Sequence, residues 1–251
     1  MITFEDYFSQ IAGNYALYRP HYPADLFSHL ASIAPHRRLA WDSGTGNGQA
    51  AAGLAEHFDR VIATDASTDQ IAHAFPHERV EYRVEPAEEV NLEAASVDLI
   101  TVATAVHWFD LARFYDNVRR VAVPGGILAV WTYHTSVIAS EIDAVLDHYY
   151  REILAEYWPD RWHYIDEHYQ SLPFPFPELS TPAFEMQTNW RLDELVGYLS
   201  SWSASQRYLE ARGHHPLSVI WPELASAWGN PHQRRKISWP LYLRVGRVDK
   251  T

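Results

Sequence analysis

The run Asp42-Ser43-Gly44-Thr45-Gly46-Asn47-Gly48 places three glycines at alternate positions. That spacing lets the backbone turn sharply and lets another group approach it with no Cβ in the way. The run stands where a strand-like stretch, Leu39 to Asp42, gives way to a helical pattern starting at Gln49. It therefore reads as a strand-to-helix turn, and the helix N-terminus behind it offers N–H groups to an anionic or polar ligand. Asp65 ends the next strand-like stretch, Val61 to Asp65, 17 residues past Gly48. A carboxylate there can accept hydrogen bonds from ribose hydroxyls. The pairing suits a nucleoside cofactor, although a tight turn without a ligand would use the same glycines. A dinucleotide fingerprint asks for G-x-G-x-x-G; from Gly44 its third glycine falls on Gln49, and from Gly46 it becomes G-x-G-x-x-A with Ala51. An NAD(P)-dependent oxidoreductase is thus an alternative that the loop weakens without removing.

The elements that would hold these residues alternate. Strands are expected at Leu39–Asp42, Val61–Asp65, Val97–Ala103 and Gly126–Trp131, and helices at Gln49–Phe58, Thr68–Phe75 and Leu111–Val121, where apolar residues recur at three and four. Such alternation implies a parallel sheet with helices on both faces. Sheets of this kind bind ligands beyond the carboxyl ends of their strands, and Asp42, Asp65, 103–107 and 131–134 all fall at such ends. His107 and His134 each stand just past a strand, and histidine titrates near working pH. Each is a candidate base, and each could equally be a half-buried structural histidine.

Around this core (39–135) lie an N-terminal cap (1–38), a helical aromatic insertion (136–183) and a C-terminal part of the sheet (184–251), within one domain. The cap reads as one or two helices broken at Arg19-Pro20 and Tyr22-Pro23. The insertion starts with a long helical stretch, Ser136–Tyr157, and carries Tyr149, Tyr150, Tyr157, Trp158, Trp162, Tyr164 and Tyr169 before a proline-rich connector, Leu172–Pro182. It suits either a lid over an apolar pocket or a subunit interface. Phe184–Trp190 follows, then a helix over Leu192–Ala211 and a last strand at Leu241–Val248, which Pro240 can open but not interrupt.

The Asp-x-Gly-x-Gly-x-Gly loop, Asp65, the Ser96-Val97-Asp98-Leu99-Ile100 strand and the Pro124-Gly125-Gly126 turn together resemble the class I S-adenosylmethionine-dependent methyltransferases. Tyr15 with Tyr18-Arg19-Pro20 and Tyr22-Pro23, and Ala105-Val106-His107-Trp108-Phe109, resemble the small-molecule branch that includes trans-aconitate methyltransferase. The likeness covers roughly residues 1 to 132. It implies a Rossmann-like, mostly parallel seven-stranded sheet whose last strand is antiparallel. It also implies S-adenosyl-L-methionine as cofactor, with Gly44, Gly46 and Gly48 around the methionine part, Asp42 beneath them, Asp65 on the ribose, Ala66 and the Ala87-Glu88 pair at the adenine, and Ala103 at the neighbouring strand end. Tyr15 and Arg19 would close the site. Trp108 and Tyr133 are expected in the acceptor pocket, with Trp131 in the core. The expected reaction is methylation of a small molecule, such as a carboxylate, by a monomer or homodimer; a cofactor-binding module without turnover is the other alternative. Carboxylate acceptors need no base at neutral pH, whereas phenols, amines and carbon acids do.

Composition narrows the field further. The 251 residues carry 20 Lys and Arg against 32 Asp and Glu, a net charge of −12, which disfavours a nucleic-acid partner because phosphate binding needs a basic face. There is no cysteine, which excludes disulfides, thiolate zinc sites and thiol nucleophiles. No H-E-x-x-H is present, and His163, Asp166 and His168 lack the i, i+4 spacing of helical metal ligands, so no metal is expected. No apolar stretch reaches the ~18 residues a spanning helix needs, and a cytoplasmic location is expected.

Overall fold

A computed structural model describes residues 19–249. The strands, in chain order, are β1 (Leu39–Ser43), β2 (Arg60–Asp65), β3 (Val80–Val84), β4 (Val97–Ala103), β5 (Ala122–Tyr133), β6 (Phe184–Trp190) and β7 (Arg235–Val248). They form one sheet in the order β3-β2-β1-β4-β5-β7-β6. The first five run parallel, and β7 lies antiparallel to β5. The expected Rossmann-like sheet is therefore present, and the strand order reverses between β1 and β4, where such sheets bind ligands.

The chain divides into two compact units. One holds Tyr22–His134, His163–Glu185 and the chain from Pro240; the other holds Thr135–Trp162 and Met186–Trp239. The expected insertion is thus shared between them, with its 163–183 part in the unit that carries β1 to β5.

Local chemistry explains the core elements. Every residue of β4 but its last is fully buried, as a central parallel strand covered on both faces requires. The helices before and beside it are α1 (Ala24–Ile33), α2 (Gln49–Ala55), α3 (Thr68–Ala72) and α4 (Leu111–Val121). Asp110 caps α4 by accepting a hydrogen bond from the Arg113 N–H, and Arg119 and Arg120 occupy the last turn, where cations suit the helix dipole. Phe114, Tyr115, Val118 and Val121 make its buried stripe. Phe114 packs against Trp41 of β1 and Phe109 at ring separations of 6.0 and 5.0 Å.

Several expectations need correction. The long helical stretch 136–157 is helical only as α5 (Ser140–His148), after which the chain widens to a π turn at Tyr149–Ile153 and then a tight turn at Ala155–Tyr157. Short α6 (His163–Asp166) follows. The helix expected over 192–211 is broken at extended Trp202 into α7 (Leu192–Ser200) and α8 (Ser203–Arg212). The hydroxyls of Ser200 and Ser201 bond back to the carbonyls of Val196 and Tyr198 there, so serine competes with the helical ladder at the break. A further helix, α9 (Leu217–Trp228), was not expected. Pro240 sits inside β7 rather than at its start. It is tolerated because pairing with β5 begins at Leu241, while Ser238 on the other side pairs with Val137, so the missing N–H falls between two ladders.

Phe114 is fully buried between β1 and the loop after β4. Phe114→Ala is expected to cost about 3–5 kcal/mol, read from the midpoint of urea unfolding.

Candidate functional site

The site begins with a buried charge. Asp42, at the carboxyl end of β1, is fully buried. It accepts hydrogen bonds from the Thr45 hydroxyl at 2.5 Å and the Thr101 hydroxyl at 2.7 Å. One carboxylate therefore ties the glycine loop to β4. Burial pushes its pKa up to about 6, against the pull of the two hydroxyls.

All three glycines have positive φ, +67, +55 and +85° for Gly44, Gly46 and Gly48, but for different reasons of space. A Cβ on Gly44 would lie 2.6 Å from Ala105 Cβ, and one on Gly48 would strike the Tyr82 hydroxyl. These two let the protein's own side chains close on the loop. Gly46 is the open one: a Cβ there would meet nothing nearer than Gln70, at 3.7 Å. Its N–H donates to Asp65 Oδ2 at 2.9 Å, while Ser67 N–H donates to Asp65 Oδ1 at 2.9 Å. The loop and the acid of β2 thus face one another. A carboxylate has about four lone-pair sites, so Asp65 retains acceptor capacity for ribose hydroxyls beyond these two bonds. Together with the open face at Gly46, this is a cradle that S-adenosyl-L-methionine fits.

The other expected residues distribute as follows. Ala66 is exposed next to Asp65. Ala87 is buried, and Glu88 accepts the Asp110 N–H at 2.7 Å, holding the turn after β3 to the start of α4. Ala103 ends β4, where it pairs with Trp131. Arg19 is exposed and falls in the other compact unit, and Tyr15 lies outside the described residues. Trp131 is fully buried, Trp108 is 50% exposed and Tyr133 is half-buried.

The two histidines differ in their surroundings. His107 is buried, its Nδ1 2.8 Å from the Tyr169 hydroxyl, and its ring lies 4.9 Å from that of Trp108. Burial holds the Tyr169 phenol well above its ordinary pKa, so it keeps its proton. His134, the residue after β5, has its Nε2 3.0 Å from Asp166 Oδ1. Both partners come from 163–169, a segment that packs across the carboxyl ends of β4 and β5.

Three residues escaped sequence reasoning. Tyr22 sets its ring edge-on to Trp131 at 5.5 Å, and its buried hydroxyl, raised in pKa chiefly by desolvation, lies beside Thr104, Trp131, Tyr133 and Asp42. It spans the ends of β1, β4 and β5. Tyr169 and Asp166 were visible only as members of an aromatic, polar stretch; no spacing could reveal that they meet His107 and His134, 62 and 32 residues away.

Known proteins share this fold. Residues 41–130 match the family model described as a methyltransferase domain. A Dictyostelium discoideum protein described as a methyltransferase is 34% identical over 98% of this chain and 96% of its own. An uncharacterized methyltransferase of Mycobacterium bovis is 37% identical over about half of each chain, 49% of this one and 51% of its own. A solved structure described as a type II methyltransferase from Anaeromyxobacter dehalogenans superposes with a TM-score of 0.87 and 45% identity, covering 93% of this chain and 99% of that one. The Rossmann-like sheet and these relatives mark an S-adenosylmethionine-dependent enzyme. The chain belongs to the class I S-adenosylmethionine-dependent methyltransferases and is a methyltransferase.

Because the folded-state pKa of Asp42 lies above the ordinary 3.8, the native state binds the proton more tightly than the unfolded one. Its stability advantage is complete below about pH 4 and lost as pH rises through about 6. Asp42→Asn is therefore expected to lose the parent's fall in stability between pH 4 and 6, and to loosen the glycine loop. Thermal melts across that range read the first effect, and cofactor titration the second.

Proposed function

We propose that this enzyme binds S-adenosyl-L-methionine in the cradle of Gly44, Gly46, Gly48 and Asp65 and methylates a small-molecule acceptor held at the carboxyl ends of β4 and β5. The observation that carries the reading is the 2.9 Å hydrogen bond from Gly46 N–H to Asp65, which brings the loop and the ribose-type acid to one crevice. The cofactor supplies an activated methyl on a positively charged sulfur. Methyl transfer is an in-line displacement that asks mainly for position and electrostatics, and the acids Asp42 and Asp65 give this crevice the sign that suits a sulfonium.

In this reading Asp65 holds the ribose, while Ala66 and the Ala87-Glu88 turn flank the base. Ala103 and the loop glycines border the methionine portion. The half-exposed Trp108 and the half-buried Tyr133 line the acceptor side, and Tyr22 closes the ends of three strands. His134 stands where an acceptor proton would be taken. His107, held by Tyr169, fixes the turn that carries Trp108. The absence of a third fingerprint glycine at position 49 supports this cofactor over NAD(P).

Asp65→Ala is expected to weaken S-adenosyl-L-methionine binding about 100-fold or more, since a pair of charge-assisted hydrogen bonds at ~1.5–3 kcal/mol each is lost. Calorimetry reads it. A thermal-shift panel is expected to show stabilisation by S-adenosyl-L-methionine and S-adenosyl-L-homocysteine and none by NAD(H). The reverse pattern, or unchanged affinity in Asp65→Ala, would overturn the reading.

A further inference from the structure

One row of side chains runs across the sheet below the glycine loop. Thr101, Asp42, Ala63 and Tyr82 are register partners across β4, β1, β2 and β3, and such partners in neighbouring strands project from the same face. On one side of the row Asp42 accepts the Thr101 hydroxyl. On the other side Ala63, with only a methyl group, separates it from Tyr82. The half-buried Tyr82 ring reaches the loop itself: a Cβ on Gly48 would strike its hydroxyl oxygen and lie 2.7 and 2.8 Å from its Cε1 and Cζ. Burial, and then the Asp42 carboxylate, push the Tyr82 pKa up to about 12, so the hydroxyl keeps its proton.

Tyr82 donates that proton to the Phe75 carbonyl at 2.7 Å, and the Phe75 N–H in turn donates to the Asn47 carbonyl at 3.0 Å. Phe75 lies on the connection between α3 and β3. One tyrosine thus meets the loop twice, by its ring at Gly48 and, through the backbone of Phe75, at Asn47. Thr45 is held separately: its hydroxyl donates to Asp42 and its N–H to the Thr64 carbonyl at 3.0 Å. Residues 45, 47 and 48 are each tied to a neighbouring element. Gly46 between them keeps its open face, with its N–H on Asp65.

We propose that Tyr82 is a positioning residue for cofactor binding, setting the glycine loop in the conformation that S-adenosyl-L-methionine requires before the cofactor arrives. This rests on the cofactor reading above. Glycine loses more conformational freedom on ordering than any other residue, and this loop has three glycines, all at positive φ. A free loop of that composition must be ordered at the moment of binding, and the ordering is subtracted from affinity. A loop already bracketed by Tyr82 is spared most of that loss. Tyr82 acts through Gly48 and Asn47 and is assigned no contact with the cofactor.

The competing role for Tyr82 is packing alone, since β3 is an edge strand of the sheet. A ring packed there serves stability with or without its hydroxyl. The bond to Phe75 is made only by the hydroxyl, so Tyr82→Phe separates the two roles.

The test uses the full chain and three variants, Tyr82→Phe, Tyr82→Ala and Tyr115→Phe. Tyr115 is the control: its phenol donates to the Pro173 carbonyl, a bond of the same kind that involves no residue of the loop. In calorimetric titrations with S-adenosyl-L-methionine and S-adenosyl-L-homocysteine, Tyr82→Phe is expected to bind about tenfold more weakly, for the loss of one hydrogen bond. Tyr82→Ala is expected to bind about 30-fold more weakly or worse, and Tyr115→Phe to stay within about twofold of the parent. Hydrogen exchange of the cofactor-free proteins, read by NMR, should show the Phe75 amide exchanging about tenfold faster in Tyr82→Phe and unchanged in Tyr115→Phe. Equal affinity in the parent and Tyr82→Phe, an equal loss in Tyr115→Phe, or an unmoved Phe75 amide each overturns the proposal. Should Tyr82→Ala fail to fold, Tyr82→Phe decides. Absence of binding by the parent overturns the cofactor reading instead, and the Phe75 amide still tests whether Tyr82 sets the loop.

Discussion

The carboxylate of Asp42 is the constraint on which the site depends. It is fully buried, and two threonine hydroxyls that donate to it pull against the desolvation that raises its pKa to about 6. Thr45 belongs to the loop and Thr101 to the neighbouring strand, so the charge fastens the turn to the middle of the sheet. An unpaired buried charge would be far more costly. The loop's conformation is therefore coupled to hydrogen bonds that a neutral residue could make only in part. From the other side Asp65 takes the Gly46 N–H, so the loop is held between two carboxylates.

The second half of the site is built on a different plan. Tyr169 and Asp166, which meet His107 and His134, arrive from 163–169, within the unit that carries β4 and β5. Left-handed backbone at His168 and Tyr169 turns one side chain toward Tyr242 and the next toward His107. Two adjacent non-glycine residues in that region would unwind a solvated loop. Burial of Tyr169 and the stacking of His168 supply the compensation.

This difference accounts for what could be read before folding. β4 and α4 were legible to the residue because Val97–Ala103 is buried on both faces and α4 carries a cap, a stripe and basic last turn in eleven residues. That the glycine loop and Asp65 fall at neighbouring strand ends was legible, because both sit in local turns that follow β1 and β2. Why each glycine is there was not: Gly48 is required by Tyr82, 34 residues on. The breaks at Tyr149 and Trp202 were hidden since apolar periodicity continues through both. Pro240 lies within β7 because the ladders on either side of it leave a gap that no local sequence signal marks.

The same division bears on how acceptor choice is encoded. The matched family segment ends at residue 130, one residue before Trp131 and four before His134. Everything that grips the cofactor in the proposed site lies within 42–110, in contacts between neighbouring strands and their following turns. Asp166 and His168, which meet His134, lie beyond it, 32 and 34 residues away. A cradle for a common cofactor is made from the part of the chain with local geometry. The proposed acceptor side draws on 163–169, a segment between β5 and β6. In the proposed site, changes in 163–169 would therefore leave the glycine turn in place, because the hydrogen bonds of the Asp42, Thr45 and Thr101 group and of the Gly46 and Asp65 pair lie outside that segment.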